Sequence, residues 1–190
     1  MENKILLVGV GGQGTILVSK ILCYGFAEKG YDVKMSEIHG MAQRGGSVTT
    51  QIVYGDKVYS PSIEDGDADL LISFEKLEAV RYLSKLNPKG HVIINDTKIE
   101  PMPVLSGFAE YPKDLDEILY DYTDNVMLIK ASGLAKKAGS EKATNIVMLG
   151  QLVKVMGLED IDWKDIMKRN IPERFHEMNF KAFDLGYNYE

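Results

Sequence analysis

The chain has 190 residues, of which 45% are hydrophobic and 26% are charged, as is usual for a folded globular domain. Its net charge of −6 argues against nonspecific binding to nucleic acid, which requires a basic surface. The single cysteine, Cys23, excludes an intrachain disulfide framework and an iron–sulfur cluster held by four cysteines of this chain.

Features that would direct the chain to a membrane or out of the cell are not seen. The sequence has no run of about 18 apolar residues, so we expect no membrane-spanning segment. The first residues, Met-Glu-Asn-Lys, lead directly into an apolar run, so we expect no signal peptide. The single cysteine favours a reducing, cytoplasmic compartment. Cys23 falls on the apolar side of a predicted helix, where we expect a buried small hydrophobe.

Short apolar runs alternate with helical patterns along the whole chain. The predicted strands are residues 4–10, 31–36, 47–54, 69–74, 91–95 and 126–130. The predicted helices are residues 13–29, 75–86, 114–120, 131–138, 144–156, 162–168 and 173–185. Residues 37–46 are predicted to be irregular and the proline-containing residues 99–112 to be an extended connection.

This alternation predicts the fold class. The first strand, the first helix and the strand 31–36 have the length of a crossover between parallel strands. Residues 58–60, after a turn at 55–57, are a candidate hairpin partner for the strand 47–54. We therefore predict a single α/β domain over residues 1–190: one doubly wound, mostly parallel, Rossmann-like sheet with helices on both faces, a short β-hairpin insertion and a helical C-terminus.

The first strand runs into glycines with the spacing G-x-G-x-x-G, at positions 9, 11 and 14, immediately before the first helix. Glycines in this place let a phosphate approach the backbone, and the helix N-terminus offers it N–H groups and a partial positive charge. We therefore predict that Gly11, Gly12, Gln13 and Gly14 bind a phosphate-bearing ligand. The alternative is that the glycines only allow close packing of the helix on the strand. Gln13 is a candidate donor to a ligand or to a partner's backbone.

A second motif, Ser-Glu-Ile-His-Gly-Met-Ala-Gln-Arg-Gly-Gly-Ser, occupies residues 36–47. Its Arg44 offers a planar five-donor group beside the bare backbone of two glycines, which suits a carboxylate or a phosphate. His39 is a candidate proton donor or orienting group. The candidate site residues of this motif are His39, Gln43, Arg44, Gly45 and Gly46.

Alternatives stay open for both motifs. His39 can instead satisfy buried carbonyl groups, and Arg44 can pair with Glu37 or Asp69 as a structural contact. Glu37 also lies near the place where a nucleotide-binding unit has an acidic residue for the ribose hydroxyls. A free-standing NAD(P)- or flavin-dependent oxidoreductase, or a nucleotide-sensing module, is therefore an alternative function. The three histidines are scattered without the spacing of metal ligands, so no metal site is predicted.

The two motifs together resemble the gamma-type domain of the 2-oxoacid:ferredoxin oxidoreductases. The resemblance covers nearly the whole chain and continues through Leu-Ile-Ser-Phe-Glu at 71–75, the apolar helix that begins Thr-Asn at 144–145, and the segment 179–187. The His-Gly-Met-x-Gln-Arg form is most similar to the indolepyruvate branch of that family, whereas other branches usually have a Tyr-Gly-Pro-type sequence before Arg-Gly-Gly.

The resemblance implies the small, non-autonomous subunit of an oxidoreductase that acts on the oxo group of a 2-oxoacid, here indolepyruvate or another aryl pyruvate. The complex oxidatively decarboxylates the 2-oxoacid to acyl-CoA and CO₂ and passes two electrons to ferredoxin. A larger partner subunit is expected to hold thiamine diphosphate, Mg²⁺ and [4Fe–4S] clusters, with CoA as co-substrate. This chain alone is expected to hold no cofactor, to catalyse nothing and to self-associate through an exposed apolar patch.

Within such a complex the motifs acquire roles that the resemblance implies. The glycine loop at 11–14 is expected to hold the phosphates of CoA or to close over the thiamine site, with Gln43, Gly45 and Gly46 beside it. His39 and Arg44 are expected to face the large subunit and to support catalysis there.

Overall fold

The computed structural model of the protein describes residues 2–40 and 45–189. Gln43 and Arg44, two of the predicted site residues, lie outside the described residues. The strands are β1 (Glu2–Val10), β2 (Asp32–His39), β3 (Ser47–Gly55), β4 (Ala68–Ser73), β5 (Leu86–Asn95) and β6 (Val126–Ile129). The helices are α1 (Thr15–Glu28), α2 (Lys76–Arg81), α3 (Met102–Leu105), α4 (Leu115–Tyr122), α5 (Ala131–Ala138), α6 (Thr144–Met156), α7 (Trp163–Asn170) and α8 (His176–Tyr187).

The six strands form one mixed sheet in the order β2-β3-β1-β4-β5-β6. β1, β4, β5 and β6 are parallel, whereas β3 pairs antiparallel with both β1 and β2. The predicted α/β fold with a mostly parallel sheet is therefore confirmed. β1 and β2 point the same way, as predicted for a crossover, but β3 lies between them.

The hairpin partner of β3 differs from the prediction. Residues 58–60 form no strand, and β3 pairs instead with β2 along its whole length, from Asp32 opposite Gly55 to His39 opposite Val48. The proposed pairing with 58–60 was wrong because β3 lies between β1 and β2, so both of its edges are already paired. The N–H of Val58 donates instead to the Asp32 carboxylate at 2.9 Å. Consequently β2 extends through His39, into the segment predicted to be irregular.

Helices cover both faces of the sheet because the central strands are apolar at nearly every position. Successive side chains of a strand point to opposite faces, so a continuous apolar run places apolar surface on each face. Ile5 and Leu7 of β1 pack in a core with α1 and α5 to α8, and Leu6 and Val8 pack in a second core with α2 and α4. Among residues 2–40 and 45–189, no helix is both long enough and apolar enough to cross a bilayer.

The segment between β4 and β5 also differs from its prediction. The helix predicted over 75–86 ends at Arg81 and is followed by a single 3₁₀ turn at Leu83–Lys85, so that β5 begins at Leu86. Pro88 lies inside β5. A proline lacks the N–H that a sheet ladder needs, and it is accommodated here because the register between β4 and β5 shifts at this point.

Cys23 packs against apolar neighbours as expected, but it is less buried than predicted. Its side chain is partly buried against the larger core. Burial, and then the nearby Glu37 carboxylate, raises the pKa of the thiol to about 11. The reactive thiolate is therefore disfavoured at neutral pH.

Candidate functional site

The glycine loop, residues 11–14, connects β1 to α1 at the carboxyl end of the parallel strands. In open α/β sheets this edge is where ligands bind. β4 and β5 end at the same edge, where Phe74 follows β4 and contacts the loop through Gln13, and Asn95, the last residue of β5, donates to the Phe74 carbonyl. The sequence-predicted phosphate site therefore lies where the fold places binding sites.

The second motif meets the glycine loop directly. The N–H of Gly11 donates to the carbonyl of Gly46 at 2.8 Å. Val10 lies opposite Ser47 in the β1–β3 register, which brings the end of one motif to the start of the other. The two motifs are thus parts of one surface, although more than thirty residues separate these two glycines in the chain.

An open cleft of about 460 Å³ lies between the glycine loop, the start of α1 and the β2–β3 hairpin. This volume is in the range of small-molecule sites. Two other open depressions, of about 520 and 620 Å³, lie beside the C-terminal helices and contain none of the predicted site residues. The residues lining the cleft come from both motifs and are Gly11, Gly12, Gly14, Thr15, Ile16, Glu37, His39 and Val48.

Backbone N–H groups supply the hydrogen-bond donors of the cleft. α1 begins after Gly14, which has φ 79° and provides no side-chain cap. Within the described parts of the chain, no acceptor pairs with the N–H of Gly12, Gly14, Thr15 or Ile16. These donors and the positive end of the α1 dipole favour an anion.

The side chain of Gln13 points away from the cleft and holds the loop in place. Its Oε1 accepts a hydrogen bond from the N–H of Val10 at 2.7 Å, and its Nε2 donates to the carbonyl of Phe74 at 2.8 Å. Because α1 begins at Thr15, Gln13 belongs to the loop and not to the helix start that was predicted. The backbone that its amide contacts is that of its own chain.

Two glycines of the fingerprint lie close to amide side chains. A Cβ on Gly9 would lie 2.8 Å from the Oε1 of Gln13, and a Cβ on Gly14 would lie 2.5 Å from the Nδ2 of Asn145. Asn145, in the first turn of α6, donates from that Nδ2 to the carbonyl of Gly14 at 3.1 Å. Sequence reasoning missed Asn145 as a loop contact, although a buried asparagine at the start of an otherwise apolar helix is a signal for such a role.

His39 and Glu37 form the side of the cleft opposite the amides. His39 is exposed at the end of β2, and no hydrogen bond joins its imidazole to another described residue, so it does not satisfy buried carbonyls there. Glu37 is half-buried and accepts a long hydrogen bond from the hydroxyl of Ser19 at 3.4 Å. A phosphate is therefore favoured at the loop and disfavoured near Glu37, where a hydroxyl donor fits better.

Two buried glutamates beneath the site were not identified from the sequence. Glu78 accepts from the hydroxyl of Ser47 at 2.5 Å and pairs with Arg81 at 2.6 Å, which fastens the end of the second motif to α2. Glu75 accepts from the N–H of Glu78 at 2.9 Å and caps the same helix. A charged residue directly after a buried strand is the signal that would have found Glu75.

Comparison with known proteins shows what this chain is similar to. The family model described as "Pyruvate ferredoxin/flavodoxin oxidoreductase" matches residues 4–189. A curated protein of Methanothermobacter thermautotrophicus, named "Indolepyruvate oxidoreductase subunit IorB", is 41% identical over 192 residues, which cover 98% of this chain and 97% of that protein.

Two solved structures share the fold. The gamma subunit of a keto/oxoacid ferredoxin oxidoreductase from Geobacter sulfurreducens has a TM-score of 0.70 at 23% identity, covering 97% of this chain and 96% of that one. The 2-oxoglutarate:ferredoxin oxidoreductase from Magnetococcus marinus, solved with 2-oxoglutarate, coenzyme A and succinyl-CoA, has a TM-score of 0.74 at 20% identity. The match covers 98% of this chain but 30% of the Magnetococcus chain, so the same fold also occurs as one part of a longer chain.

Proposed function

The chain belongs to the pyruvate ferredoxin/flavodoxin oxidoreductase family and is a small subunit of a 2-oxoacid:ferredoxin oxidoreductase, and from this premise we propose that it completes the active centre of a larger catalytic subunit. That subunit holds thiamine diphosphate, Mg²⁺ and [4Fe–4S] clusters. In the cytoplasm, the complex converts indolepyruvate or another aryl pyruvate to acyl-CoA and CO₂, with ferredoxin as the electron acceptor. Residues 1–190 act in it as a single domain.

One observation carries this proposal: the hydrogen bond from Gly11 to Gly46, which joins the two motifs at the carboxyl edge of the sheet. A single surface then presents backbone amides from the loop together with the side chains of the second motif. Such a surface offers groups that position a ligand. It supports a contribution to another subunit's reaction better than an independent one.

CoA is the phosphate-bearing ligand that fits the cleft in this proposal. Its phosphates would accept from the amides of Gly12, Gly14 and Thr15, and its ribose hydroxyls would lie toward Glu37. CoA supplies the thiol that receives the acyl group, and the chain contributes by holding the phosphate end in a fixed place. Gln13 contributes indirectly, since its amide fixes the loop whose N–H groups bind.

His39 and Arg44 face the large subunit in this proposal, with Gln43, Gly45 and Gly46 shaping the backbone beside them. The imidazole of His39 is exposed at the mouth of the cleft, where it is accessible to a partner. A charge-assisted hydrogen bond from Arg44 to an anionic group of the substrate or cofactor would contribute about 1.5–3 kcal/mol. Replacing Arg44 by Ala or Lys should lower 2-oxoacid-dependent dye reduction by the assembled complex. Unchanged turnover and unchanged assembly would remove this role.

The cleft itself can be tested with a charge placed at its edge. Ile16 lines the cleft and is 44% exposed, and an acidic residue in the first turn of a helix is tolerated well. In the assembled complex, Ile16→Asp should raise the KM for CoA about tenfold relative to Ile16→Asn, because only the former opposes a phosphate. The KM for the 2-oxoacid should be the same in both variants. Equal KM values for CoA would contradict the proposed binding mode.

A nucleotide-binding function without a partner has one observation in its favour, since Glu37 lies in the same cleft as the glycine loop. Titration calorimetry of the isolated chain with NAD⁺, NADP⁺, FAD and CoA, combined with an assay of substrate oxidation by the same chain, separates the two functions. The subunit proposal predicts no turnover by the isolated chain with any dinucleotide. Substrate oxidation by this chain alone would favour the alternative.

A further inference from the structure

The connection between β5 and α4 contains a solvent-exposed apolar segment. Residues 101–109, Pro-Met-Pro-Val-Leu-Ser-Gly-Phe-Ala, include no charged side chain, and we refer to them as the apolar arm. Phe108 is 89% exposed, more than any other large apolar side chain among the described residues, and Met102 and Leu105 are 68% and 63% exposed. Exposed apolar side chains grouped in this way are typical of a surface that another protein covers.

The apolar arm has a defined local structure. α3 forms its first turn, and the N–H groups of Phe108 and Ala109 both donate to the carbonyl of Pro103, at 2.8 and 3.0 Å. The hydroxyl of Ser106 donates to the carbonyl of Met102 at 2.7 Å. The apolar side chains are therefore presented on a compact turn, which reduces the entropy that binding would cost.

The residues that flank the apolar arm, Ile99 and Tyr111, are both bonded to one buried carboxylate. The Oε1 of Glu75 accepts from the N–H of Ile99 at 3.1 Å and from the hydroxyl of Tyr111 at 2.7 Å. Glu75 follows Phe74, whose carbonyl accepts the hydrogen bond from Gln13 of the glycine loop. The apolar arm and the glycine loop are thus attached to adjacent residues, at the same edge of the sheet.

We propose that the apolar arm docks into an apolar pocket of the large catalytic subunit, with Phe108 as its central anchor. This inference rests on the proposed function. The choice of the large subunit follows from the arm's place at the edge that carries the cleft, which the proposed function turns toward that subunit. It is also supported by the Magnetococcus chain, in which the same fold is 30% of a longer polypeptide and is thus joined covalently to other parts. A large aromatic residue at the centre of an interface commonly supplies most of the binding energy.

A matched pair of surface substitutions tests the docking of the apolar arm. Tyr59 is 77% exposed and lies far from the arm, because the preceding residue, Val58, is hydrogen-bonded to Asp32 at the opposite edge of the sheet. Tyr59→Ser therefore serves as the control, since it removes a comparably exposed ring. The full chain, labelled with a fluorophore, is titrated with the large subunit of its source genome that carries thiamine-diphosphate and ferredoxin-like cysteine motifs. Phe108→Ser should weaken binding at least about 30-fold, and Tyr59→Ser less than about threefold.

Each outcome decides the proposal. Equal affinities of Phe108→Ser and wild type would overturn docking through the arm, while wild-type binding would still support the proposed function. If the wild-type chain does not bind the large subunit at all, the proposed function fails and the arm proposal fails with it. If Phe108→Ser abolishes self-association of the isolated chain, measured by light scattering, but leaves binding to the large subunit unchanged, a second copy is the occupant and the proposal is wrong. When the large subunit is saturated with the Phe108→Ser chain, the complex should have the wild-type kcat, because Phe108 takes no part in the chemistry.

Discussion

The glycine loop and the apolar arm are attached to adjacent residues, Phe74 and Glu75, but by different chemistry. Neutral amide side chains hold the loop, with Gln13 and Asn145 bonded to backbone carbonyls. The arm depends on the single carboxylate of Glu75. The loop offers its own backbone to a small anion and therefore needs several fixed points. The arm offers side chains to a protein, and fixed ends are sufficient for that purpose.

The largest loss of stability is expected at the attachment of the arm. Glu75 is 1% exposed and accepts from two N–H groups and one hydroxyl, so Glu75→Gln places an amide donor against at least one of those donors. The expected decrease in the free energy of unfolding is about 3 kcal/mol. Urea unfolding measures it. Glu110→Gln, an exposed carboxylate next to the arm, should change stability by less than about 0.5 kcal/mol. Similar values for the two variants would show that the carboxylate of Glu75 does not hold the arm.

The next largest effect is expected in the glycine loop, where two glycines provide a matched pair. Gly12 and Gly14 have φ of 101° and 79°, and alanine at either position should cost about 1–2 kcal/mol in backbone strain. A Cβ at position 12 meets no atom within 4 Å, whereas at position 14 it meets Asn145 at 2.5 Å. Gly14→Ala should therefore destabilise the fold by about 1 kcal/mol more than Gly12→Ala. When Asn145→Ala is added to both glycine variants, their stabilities should become equal. A remaining difference between them would show that the contact with Asn145 is not its cause.

The role of Gln13 can be separated from ligand binding. Gln13→Ala removes two hydrogen bonds between neutral groups, so unfolding should become easier by about 1–2 kcal/mol, less than for Glu75→Gln. The KM for CoA should rise because the loop loses its attachment to Phe74. A rise in KM at unchanged stability would instead identify Gln13 as a direct ligand donor.

The sequence predicted the positions of the helices along the chain better than it predicted which strands are adjacent in the sheet. The bounds of α5 and α6 agree with the predicted helices 131–138 and 144–156, because apolar periodicity reflects which side of an element is buried. The insertion of β3 between β1 and β2 was not predicted, since periodicity carries no information on which strand lies alongside. Pairing depends on contacts between segments distant in the chain, which local patterns do not encode.

The same distinction applies to the candidate site. The spacing of the glycines was sufficient to predict where the loop lies, and the cleft contains Gly11, Gly12 and Gly14. The direction of the Gln13 side chain depends on Phe74, 61 residues away, and was not predictable from the motif. The connection 99–112 was predicted only as extended, because its attachment to Glu75 spans 24 and 36 residues of sequence.

The smallest effect is expected from Tyr111, which tests the attachment of the arm through pH. Burial, and then the hydrogen bond to Glu75, raises the pKa of Tyr111 well above the ordinary value of a tyrosine. A raised folded-state pKa means that this stabilisation is complete below about pH 10 and is lost as the pH rises further. Wild type should therefore exceed Tyr111→Phe by about 1 kcal/mol in free energy of unfolding at about pH 8, and the difference should shrink at about pH 11. Tyr54, whose pKa is raised to about 12, titrates in both proteins and cancels from the difference. If the stability difference between wild type and Tyr111→Phe does not change with pH, the Tyr111 hydroxyl does not donate to Glu75. The carboxylate would then hold the arm through Ile99 alone.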